Sequence, residues 1–295
     1  METTARIDLV TKRYGAVTAL DEASFAVGRG ETVALLGPNG AGKTTAVNLL
    51  LGLARADGGS VELFGDSPSA AVAAGRVGAM LQKGALLEGA TVGELIALVR
   101  ALYPAPMGTA DVLELAGLGD LAGRRVDRLS GGQTQRVRYA MAIAGHPELL
   151  FIDEPTAAMD VESRLAFWQG MKELAARGTT VLFATHYLEE ADDNADRIVV
   201  LLRGRVVADG PGAAIKAKAG AKRVRATIAP QHDPLLAALP GVSALTRHGD
   251  SVQLDTADAD ATARALFASG IEVHDIEIAG AGLEAAFLAL TRDHA

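Results

Sequence analysis

Residues 32–45 decide the fold, and they read Thr-Val-Ala-Leu-Leu-Gly-Pro-Asn-Gly-Ala-Gly-Lys-Thr-Thr. The apolar run 32–36 predicts a buried strand, and residues 37–44 then match the pattern Gly-x-x-x-x-Gly-Lys-Ser/Thr. Glycines let the backbone N–H groups of such a loop turn toward phosphate oxygens, and the helix that follows adds partial positive charge. We predict that Lys43 reaches the terminal phosphates of a nucleotide and that Thr44 offers its hydroxyl to Mg²⁺. An ordinary glycine turn is the alternative, and the flanking strand and helix patterns argue against it.

A second apolar run, 149–152, ends in Asp153-Glu154-Pro155. Sheets of α/β proteins bind ligands at the carboxyl ends of their strands, so both carboxylates are expected beside the phosphate loop. There Asp153 would hold Mg²⁺, and Glu154 would polarise the water that attacks the γ-phosphate. Taken alone, the segment could also be a solvated acidic turn before a proline.

A third motif, Leu129-Ser-Gly-Gly-Gln133, opens a helical segment. A serine and two glycines at a helix start make a second N-terminus able to bind an anion. One nucleotide hardly needs two such helix ends from one chain. The second end is therefore expected to serve the nucleotide of another subunit, which implies a head-to-tail dimer.

Brief apolar runs lie at 32–36, 149–152, 180–184 and 198–202, separated by longer helical segments, and they predict an α/β body with a parallel sheet. Residues 6–31 alternate as in antiparallel strands, and the strand signal disappears over about 91–146, which predicts a helical insertion. Residues 216–223 are small and basic and predict a linker. Beyond it, a strand-helix-strand-strand-helix-strand order predicts a small α+β domain. The expected domains are 1–217 and 218–295.

Composition excludes several classes of protein. The chain has 295 residues, of which 49% are hydrophobic and 22% charged, so it can build cores and is not a disordered protein. It has no cysteine, which removes disulfides, thiolate catalysis and cysteine-bound metals. A net charge of −8 argues against a broad surface for nucleic acid. No stretch approaches the roughly 18 apolar residues of a membrane-spanning helix.

Together, the three motifs resemble those of the nucleotide-binding subunit of ATP-binding cassette (ABC) transporters, over about residues 5–215. The resemblance implies a P-loop NTPase fold with a parallel-sheet core, an antiparallel β subdomain and a helical subdomain. It also implies ATP hydrolysis with ATP and Mg²⁺ as cofactors. The expected nucleotide contacts in the phosphate loop and the signature motif are Gly37, Pro38, Asn39, Gly40, Ala41, Gly42, Lys43, Thr44, Thr45, Ser130, Gly131, Gly132 and Gln133.

The resemblance gives roles to further residues. It makes Tyr14 the aromatic residue that stacks on adenine, Gln82 the sensor of magnesium and water, and His186 the switch histidine beside the γ-phosphate. It makes Asp160 a contact to the partner's phosphate loop and Glu154 the catalytic carboxylate. Without the family, a strand tyrosine and a strand-end histidine are more often packing residues. The expected catalytic set is Lys43, Gln82, Glu154 and His186, and the magnesium set is Thr44, Gln82 and Asp153.

Residues 185–198 and 203–210 resemble the ATPases of ABC-2 type exporters, whose drug- and antibiotic-resistance branch is nearest. Residues 282–291 resemble the terminal helix of that group. The resemblance implies a motor subunit at the cytoplasmic face of the cell membrane, bound to a separate integral-membrane permease and not to nucleic acid. A soluble ABC ATPase acting on DNA or ribosomes is the alternative, although such proteins usually have paired cassettes or basic surfaces. The intact Asp153, Glu154 and His186 argue against a regulatory module that only binds nucleotide.

Overall fold

The computed structural model describes residues 2–81, 84, 86–157, 159–218, 222–280 and 282–293. The chain divides into two compact units, Met1–Gly210 and Pro211–Ala295. No helix among the described residues is long and apolar enough to span a bilayer.

The first unit combines strands and helices in the order expected for an α/β protein. Its strands are β1 (Thr3–Tyr14), β2 (Val17–Gly28), β3 (Thr32–Leu36), β4 (Gly58–Leu63), β5 (Val77–Met80), β6 (Leu149–Asp153), β7 (Thr180–Thr185), β8 (Arg197–Leu202) and β9 (Arg205–Gly210). Its helices are α1 (Lys43–Leu50), α2 (Pro68–Ala73), α3 (Val92–Arg100), α4 (Thr109–Leu115), α5 (Gly131–Ile143), α6 (Val161–Ala176) and α7 (Leu188–Asn194).

The central sheet of this unit has six strands in the order β5-β6-β7-β3-β8-β9. The first five run parallel and β9 is antiparallel to β8. Strands β3, β6 and β7 are buried at every residue. Because helices cover both faces of a parallel sheet, such strands are unbroken apolar runs instead of alternating ones. The α/β class predicted from those runs is confirmed.

Two smaller parts flank this sheet. Strands β2, β1 and β4 form an antiparallel sheet whose buried residues, among them Val10 and Leu20, share one core with Leu35 of β3 and Val47 of α1. Between β5 and β6 the described chain contains α3, α4 and α5 and no strand. An antiparallel β subdomain and a helical subdomain therefore accompany the parallel core, as the resemblance predicts.

The second unit is built on an antiparallel sheet with a core of its own. Its elements are α8 (Gly212–Lys218), β10 (Lys222–Thr227), α9 (Asp233–Ala237), β11 (Val242–His248), β12 (Ser251–Thr256), α10 (Ala259–Ala268), β13 (His274–Ala279) and α11 (Leu283–Asp293). The strand order is β11-β12-β10-β13. Val224, Leu236, Leu254 and Leu266 lie in its core. This is the small α+β domain expected after the cassette.

One sequence expectation differs from the structure at the start of this unit. The predicted linker 216–223 begins as helix, because α8 continues to Lys218, and it ends inside β10; residues 219–221 lie outside the described residues. Ile215 is buried, and α8 packs against α11. The alanines and lysines of this segment favour helix, and the contact of α8 with α11 adds tertiary packing.

Candidate nucleotide site

The phosphate loop connects β3 to α1 and follows a path that only glycine permits at two positions. A Cβ atom on Gly37 would lie 2.3 Å from the Leu201 carbonyl oxygen. Gly42 has a φ of +107°, and a Cβ there would lie 2.4 Å from the Ala19 carbonyl oxygen. Left-handed backbone and close backbone approach both exclude larger residues. The loop is thus held in a fixed curve by the strands behind it.

Lys43 places a positive charge inside that curve. Its ammonium group donates hydrogen bonds to the carbonyl oxygens of Gly37 at 2.8 Å and Pro38 at 3.3 Å. It also lies 3.7 Å from Oε1 of Glu154, and both side chains are buried. A buried ammonium beside uncapped helix N–H groups is suited to bind the phosphates of a nucleotide.

Thr44 and Asp153 form a pair next to this lysine. The Thr44 hydroxyl donates to Oδ2 of Asp153 at 3.0 Å. Asp153 is only 2% exposed, and its Oδ1 has no hydrogen-bond partner among the described residues. Burial raises the pKa of the Asp153 carboxyl, and the neighbouring Glu154 carboxylate adds to the rise. A buried carboxylate oxygen without a partner marks a place for a cation.

The donor set fits Mg²⁺ bound together with a nucleotide. In the described part of the chain, no group of three or more His, Asp or Glu side chains could hold a metal by itself. Mg²⁺ typically takes one or two carboxylates, waters and substrate phosphates, so the phosphates would supply the ligands that Thr44 and Asp153 do not. Gln82, the third expected magnesium ligand and a member of the expected catalytic set, lies outside the described residues.

Glu154 follows Asp153 in an unusual backbone conformation. Its φ is +53°, and its N–H donates to the Ala184 carbonyl oxygen of β7 at 2.9 Å. A left-handed residue other than glycine costs on the order of 1 kcal/mol or more, and such residues cluster at functional sites. The bend turns the carboxylate toward Lys43 on one side and His186 on the other. Nδ1 of His186 lies 2.7 Å from Oε2 of Glu154.

Behind these two residues lies Glu190 of α7, which the sequence reasoning did not single out. It is 6% exposed, and its carboxylate accepts hydrogen bonds from the hydroxyls of Thr156 and Thr185. Glu189 beside it is exposed. No spacing rule separates two adjacent glutamates in the first turn of a helix, so only the packing of α7 against the sheet distinguishes them.

Tyr14, the expected adenine contact, stands at the end of β1 and is 50% exposed. The Lys12 ammonium lies 5.3 Å from the centroid of its ring. The Asp57 carboxylate accepts the Arg13 N–H at 2.6 Å and the Lys12 ammonium at 3.1 Å. Asp57 therefore holds the strand end that presents Tyr14, a role that the sequence reasoning did not assign.

The signature motif lies at the start of α5 on a different set of elements. Helix α5 packs against β5, α3, α4 and α6, whereas α1 packs against β1, β2, β4, β6 and β7. Ser130 and Gly131 are exposed, and Gly132 is buried against Ser163. Asp160 is exposed as well, and it caps α6 by accepting the N–H of Ser163 at 2.7 Å. The structure brings together Lys43, Thr44, Asp153, Glu154 and His186, and it places Ser130, Gly131, Gly132, Gln133 and Asp160 at the starts of α5 and α6.

Comparison with known proteins agrees with this geometry. The ABC transporter family model matches residues 20–157. A daunorubicin resistance ATP-binding protein of Streptomyces coeruleorubidus is 36% identical to this chain over 307 residues, which cover 99% of this chain and 97% of that protein. The chain belongs to the ABC transporter family. A Nod factor export ATP-binding protein of Paraburkholderia xenovorans is 39% identical and covers 74% of this ABC protein, with 75% of its own length matched.

A solved structure extends the comparison to the fold. A dimeric ATP-binding cassette in a post-hydrolysis state, bound to ADP and Pi, has a TM-score of 0.64 and 27% identity, and it covers 70% of this ABC protein and 98% of its own chain. The expected ABC cassette fold is therefore confirmed. The chain is an ABC ATPase, and the residues around Lys43 form its candidate nucleotide site.

Proposed function

We propose that this chain is the ATP-hydrolysing subunit of an ABC-2 type exporter. The names of its relatives support export, since one is a daunorubicin resistance protein and another a Nod factor export protein. Those names differ in the molecule concerned while the identities are similar, so the proposal covers the motor and not the cargo. The motor would act at the cytoplasmic face of the membrane, attached to a separate permease.

The observation that carries the proposal is the position of Glu154 between Lys43 and His186. Its two carboxylate oxygens lie 3.7 Å from the lysine ammonium and 2.7 Å from the imidazole nitrogen. The phosphates of ATP carry more negative charge than one carboxylate and would compete for both partners. Binding of ATP would then free Glu154 to accept a hydrogen bond from water, which is the state that hydrolysis needs.

Each residue has a defined part in that hydrolysis. Glu154 accepts the proton of the attacking water as the water oxygen bonds to the γ-phosphorus and the bond to the bridging oxygen of ADP breaks. Lys43 stabilises the charge on the transferred group, and His186 holds the γ-phosphate. Thr44 and Asp153 would hold Mg²⁺, which when bound neutralises charge on the β- and γ-phosphates. Tyr14 would stack on the adenine ring.

The signature residues of one copy would contact a nucleotide that is bound to another copy. We infer a head-to-tail dimer in which Ser130, Gly131, Gly132 and Gln133 of one copy close over the ATP held by Lys43 of the other. Asp160 would meet the partner's phosphate loop in the same interface. Two copies would enclose two Mg-ATP, and their closure would move the permease before hydrolysis separates them.

Replacement of the catalytic carboxylate tests the proposal. Glu154→Gln keeps the shape of the side chain but cannot accept the proton, so the variant should bind ATP, hydrolyse it at least about 100-fold more slowly and accumulate as a dimer. Steady-state ATPase rates and size-exclusion chromatography with Mg-ATP measure both effects. Glu114→Gln, on the exposed face of α4, is the matched control. A wild-type rate in Glu154→Gln would remove Glu154 from this role.

A second experiment tests the proposed association with a membrane permease. The tagged chain, expressed in its native cell and extracted from membranes in mild detergent, should co-purify with an integral-membrane protein of several apolar spans, and its ATPase rate should change in that complex. Stimulation by DNA or ribosomes without any such membrane protein would contradict the exporter and favour the soluble class of ABC ATPase.

A further inference from the structure

Glu190 is a buried acid that takes no part in the chemistry described above. It lies on α7 and contacts both the loop after β6 and the last residue of β7, because one carboxylate oxygen accepts the hydroxyl of Thr156 and the other accepts the hydroxyl of Thr185 at 3.0 Å. Thr156 stands two residues after Glu154, and Thr185 stands directly before His186. All three side chains of this cluster are buried.

These contacts close a ring around the candidate catalytic pair. Starting from Glu154, the chain leads through Thr156 to Glu190, across to Thr185 and on to His186, whose Nδ1 returns to Glu154 at 2.7 Å. The Thr185 hydroxyl oxygen also accepts the Tyr187 N–H at 3.0 Å, which orders the turn that carries the histidine. The two loops are thus connected twice by side chains.

ATP should break the direct contact between Glu154 and His186 and leave the connection through Glu190 intact. In the proposed function, on which this inference depends, ATP draws His186 to the γ-phosphate and Glu154 to the attacking water. The direct contact between them is then lost. The connection through Glu190 contains no reacting group, so it can persist through the catalytic cycle.

We propose that Glu190 is a positioning residue that holds the loops of Glu154 and His186 at a fixed separation during ATP hydrolysis. Misplacement of a catalytic group by about 1 Å can cost about 100-fold in rate, so a rigid connection behind the pair has a large effect on turnover. Nucleotide binding itself depends mainly on the phosphate loop and should not need this connection.

Burying the Glu190 carboxylate costs free energy of folding, which argues that its contacts serve a function. Burial raises the pKa of the Glu190 carboxyl, and the Glu154 carboxylate adds to the rise, while the two threonine hydroxyls and the Arg164 guanidinium act in the opposite direction. A buried carboxylate destabilises a fold unless its oxygens are hydrogen-bonded. Here both oxygens are satisfied by hydroxyls of the two loops, so the side chain is held where it can connect them.

Substitution of Glu190 tests the proposal through a split between kcat and KM. Glu190→Ala should lower kcat at least about tenfold and change the KM for ATP less than about twofold, because positioning affects the chemical step. Glu190→Gln can still bond both hydroxyls and should keep most of the wild-type kcat. The exposed neighbour in the same turn, Glu189→Ala, is the matched control and should match the wild type.

The threonines supply a test that does not require removing the buried acid. Thr156→Val deletes only the hydrogen bond to Glu190, whereas Thr185→Val also deletes the one from the Tyr187 N–H, both with little change in shape. Each should lower kcat, and Thr156→Val should not lower it further in the Glu190→Ala background, since the connection is already broken there. If Glu190→Ala does not fold, the two valine variants and their combination measure the same coupling.

Several outcomes would overturn the inference. These are a wild-type kcat in Glu190→Ala or in both valine variants, an equal loss in Glu190→Gln and Glu190→Ala, or a rise in KM alone. A lower melting temperature with unchanged kcat would show that the cluster only stabilises the fold. Failure of the proposed function is distinguishable, because it would appear as absent ATPase activity in the wild type or as normal turnover in Glu154→Gln.

Discussion

The helices α1 and α5 both have glycine at their starts, but the surroundings of the two starts differ. At the start of α1, Gly42 has no side chain to cap the helix, and Lys43 lies buried among loop carbonyl oxygens. At the start of α5, Ser130 accepts the N–H of Gln133, and the Gln133 side chain accepts the N–H of Ser130, in an exposed capping box. Both ends carry the positive end of a helix dipole.

In the proposed dimer, this difference would divide each nucleotide site between two copies of the chain. The α1 end has uncapped N–H groups, a buried lysine and a carboxylate pair next to it, so it can hold a nucleotide by itself. The α5 end caps the N–H groups of Ser130 and Gln133 with its own side chains while it faces solvent. A phosphate from another copy would have to replace that self-capping, which suits a transient, ATP-dependent contact.

The largest effect should come from disabling each end in a separate variant and mixing the two. Lys43→Ala and Gly131→Asp should each lower the ATPase rate at least about 100-fold, the first by removing charge and the second by repelling phosphate. Asp in the first turn suits the dipole of α5, so Gly131→Asp should fold normally. Lys172→Ala, on the exposed face of α6, is a control for Lys43→Ala.

A one-to-one mixture of those two variants distinguishes a dimer from a single-chain site. In a head-to-tail dimer, each mixed pair contains one intact site, so random exchange should restore about a quarter of the wild-type rate. If both helix ends served one nucleotide within one chain, mixing would restore nothing, and the comparison between the ends would fail.

Substitution by alanine should lower the stability of the fold strongly at Gly42 and little at Gly131. Gly42→Ala meets a positive φ and a backbone oxygen at 2.4 Å, so it should lower the free energy of unfolding by about 3 kcal/mol. Gly131→Ala is exposed and inside a helix, where alanine is favoured, so it should stay within about 1 kcal/mol of the wild type. Urea denaturation measures both. Equal losses would mean that the loop is not held as described.

Removal of the cap should have a smaller effect. Ser130→Ala deletes the hydroxyl that accepts the Gln133 N–H, which should cost about 1 kcal/mol of unfolding free energy. Gly42 provides no side-chain cap in the wild type, so no substitution there can remove an equivalent hydrogen bond from α1. Thermal unfolding of Ser130→Ala beside Ser67→Ala, which removes the cap of α2, provides the measurement and its reference. An unchanged melting temperature in Ser130→Ala alone would show that the capping box does not stabilise α5.

The smallest effect is expected at Tyr14, the proposed adenine contact. Asp57→Ala frees the strand end that carries Tyr14, so the KM for ATP should rise about threefold while kcat stays unchanged. Asp66→Ala, at another turn of the same unit, is the control. If Tyr14→Ala raises KM equally and the double variant adds nothing, Asp57 acts through Tyr14. A further rise in the double variant would contradict that connection.

Local patterns predicted the parallel strands closely. The runs 32–36, 149–152, 180–184 and 198–202 lie within one residue of β3, β6, β7 and β8. These strands are buried on both faces, so their apolar character appears in consecutive residues without any knowledge of neighbours. Residues 216–218 at the end of α8 fall in the predicted linker, because the helix is stabilised by packing against α11, which no local pattern contains.

The candidate site also has parts that local sequence predicts and parts that depend on tertiary packing. Its phosphate loop, carboxylate pair and signature motif are contiguous segments, because a phosphate or a cation is held by neighbouring residues at a fixed spacing. The sequence by itself therefore determined these motifs, the family that they resemble and the chemistry that they serve.

Only the tertiary structure decided which distant side chains complete the site. Glu154 and His186 meet because the parallel register of β6 and β7 places Asp153 beside Ala184. Glu190, not Glu189, is buried behind them because of how α7 packs, and Asp57 supports Tyr14 from the bend directly before β4. Contacts of this kind depend on register and helix orientation, which are set by the whole core and not by the residues that make the contact.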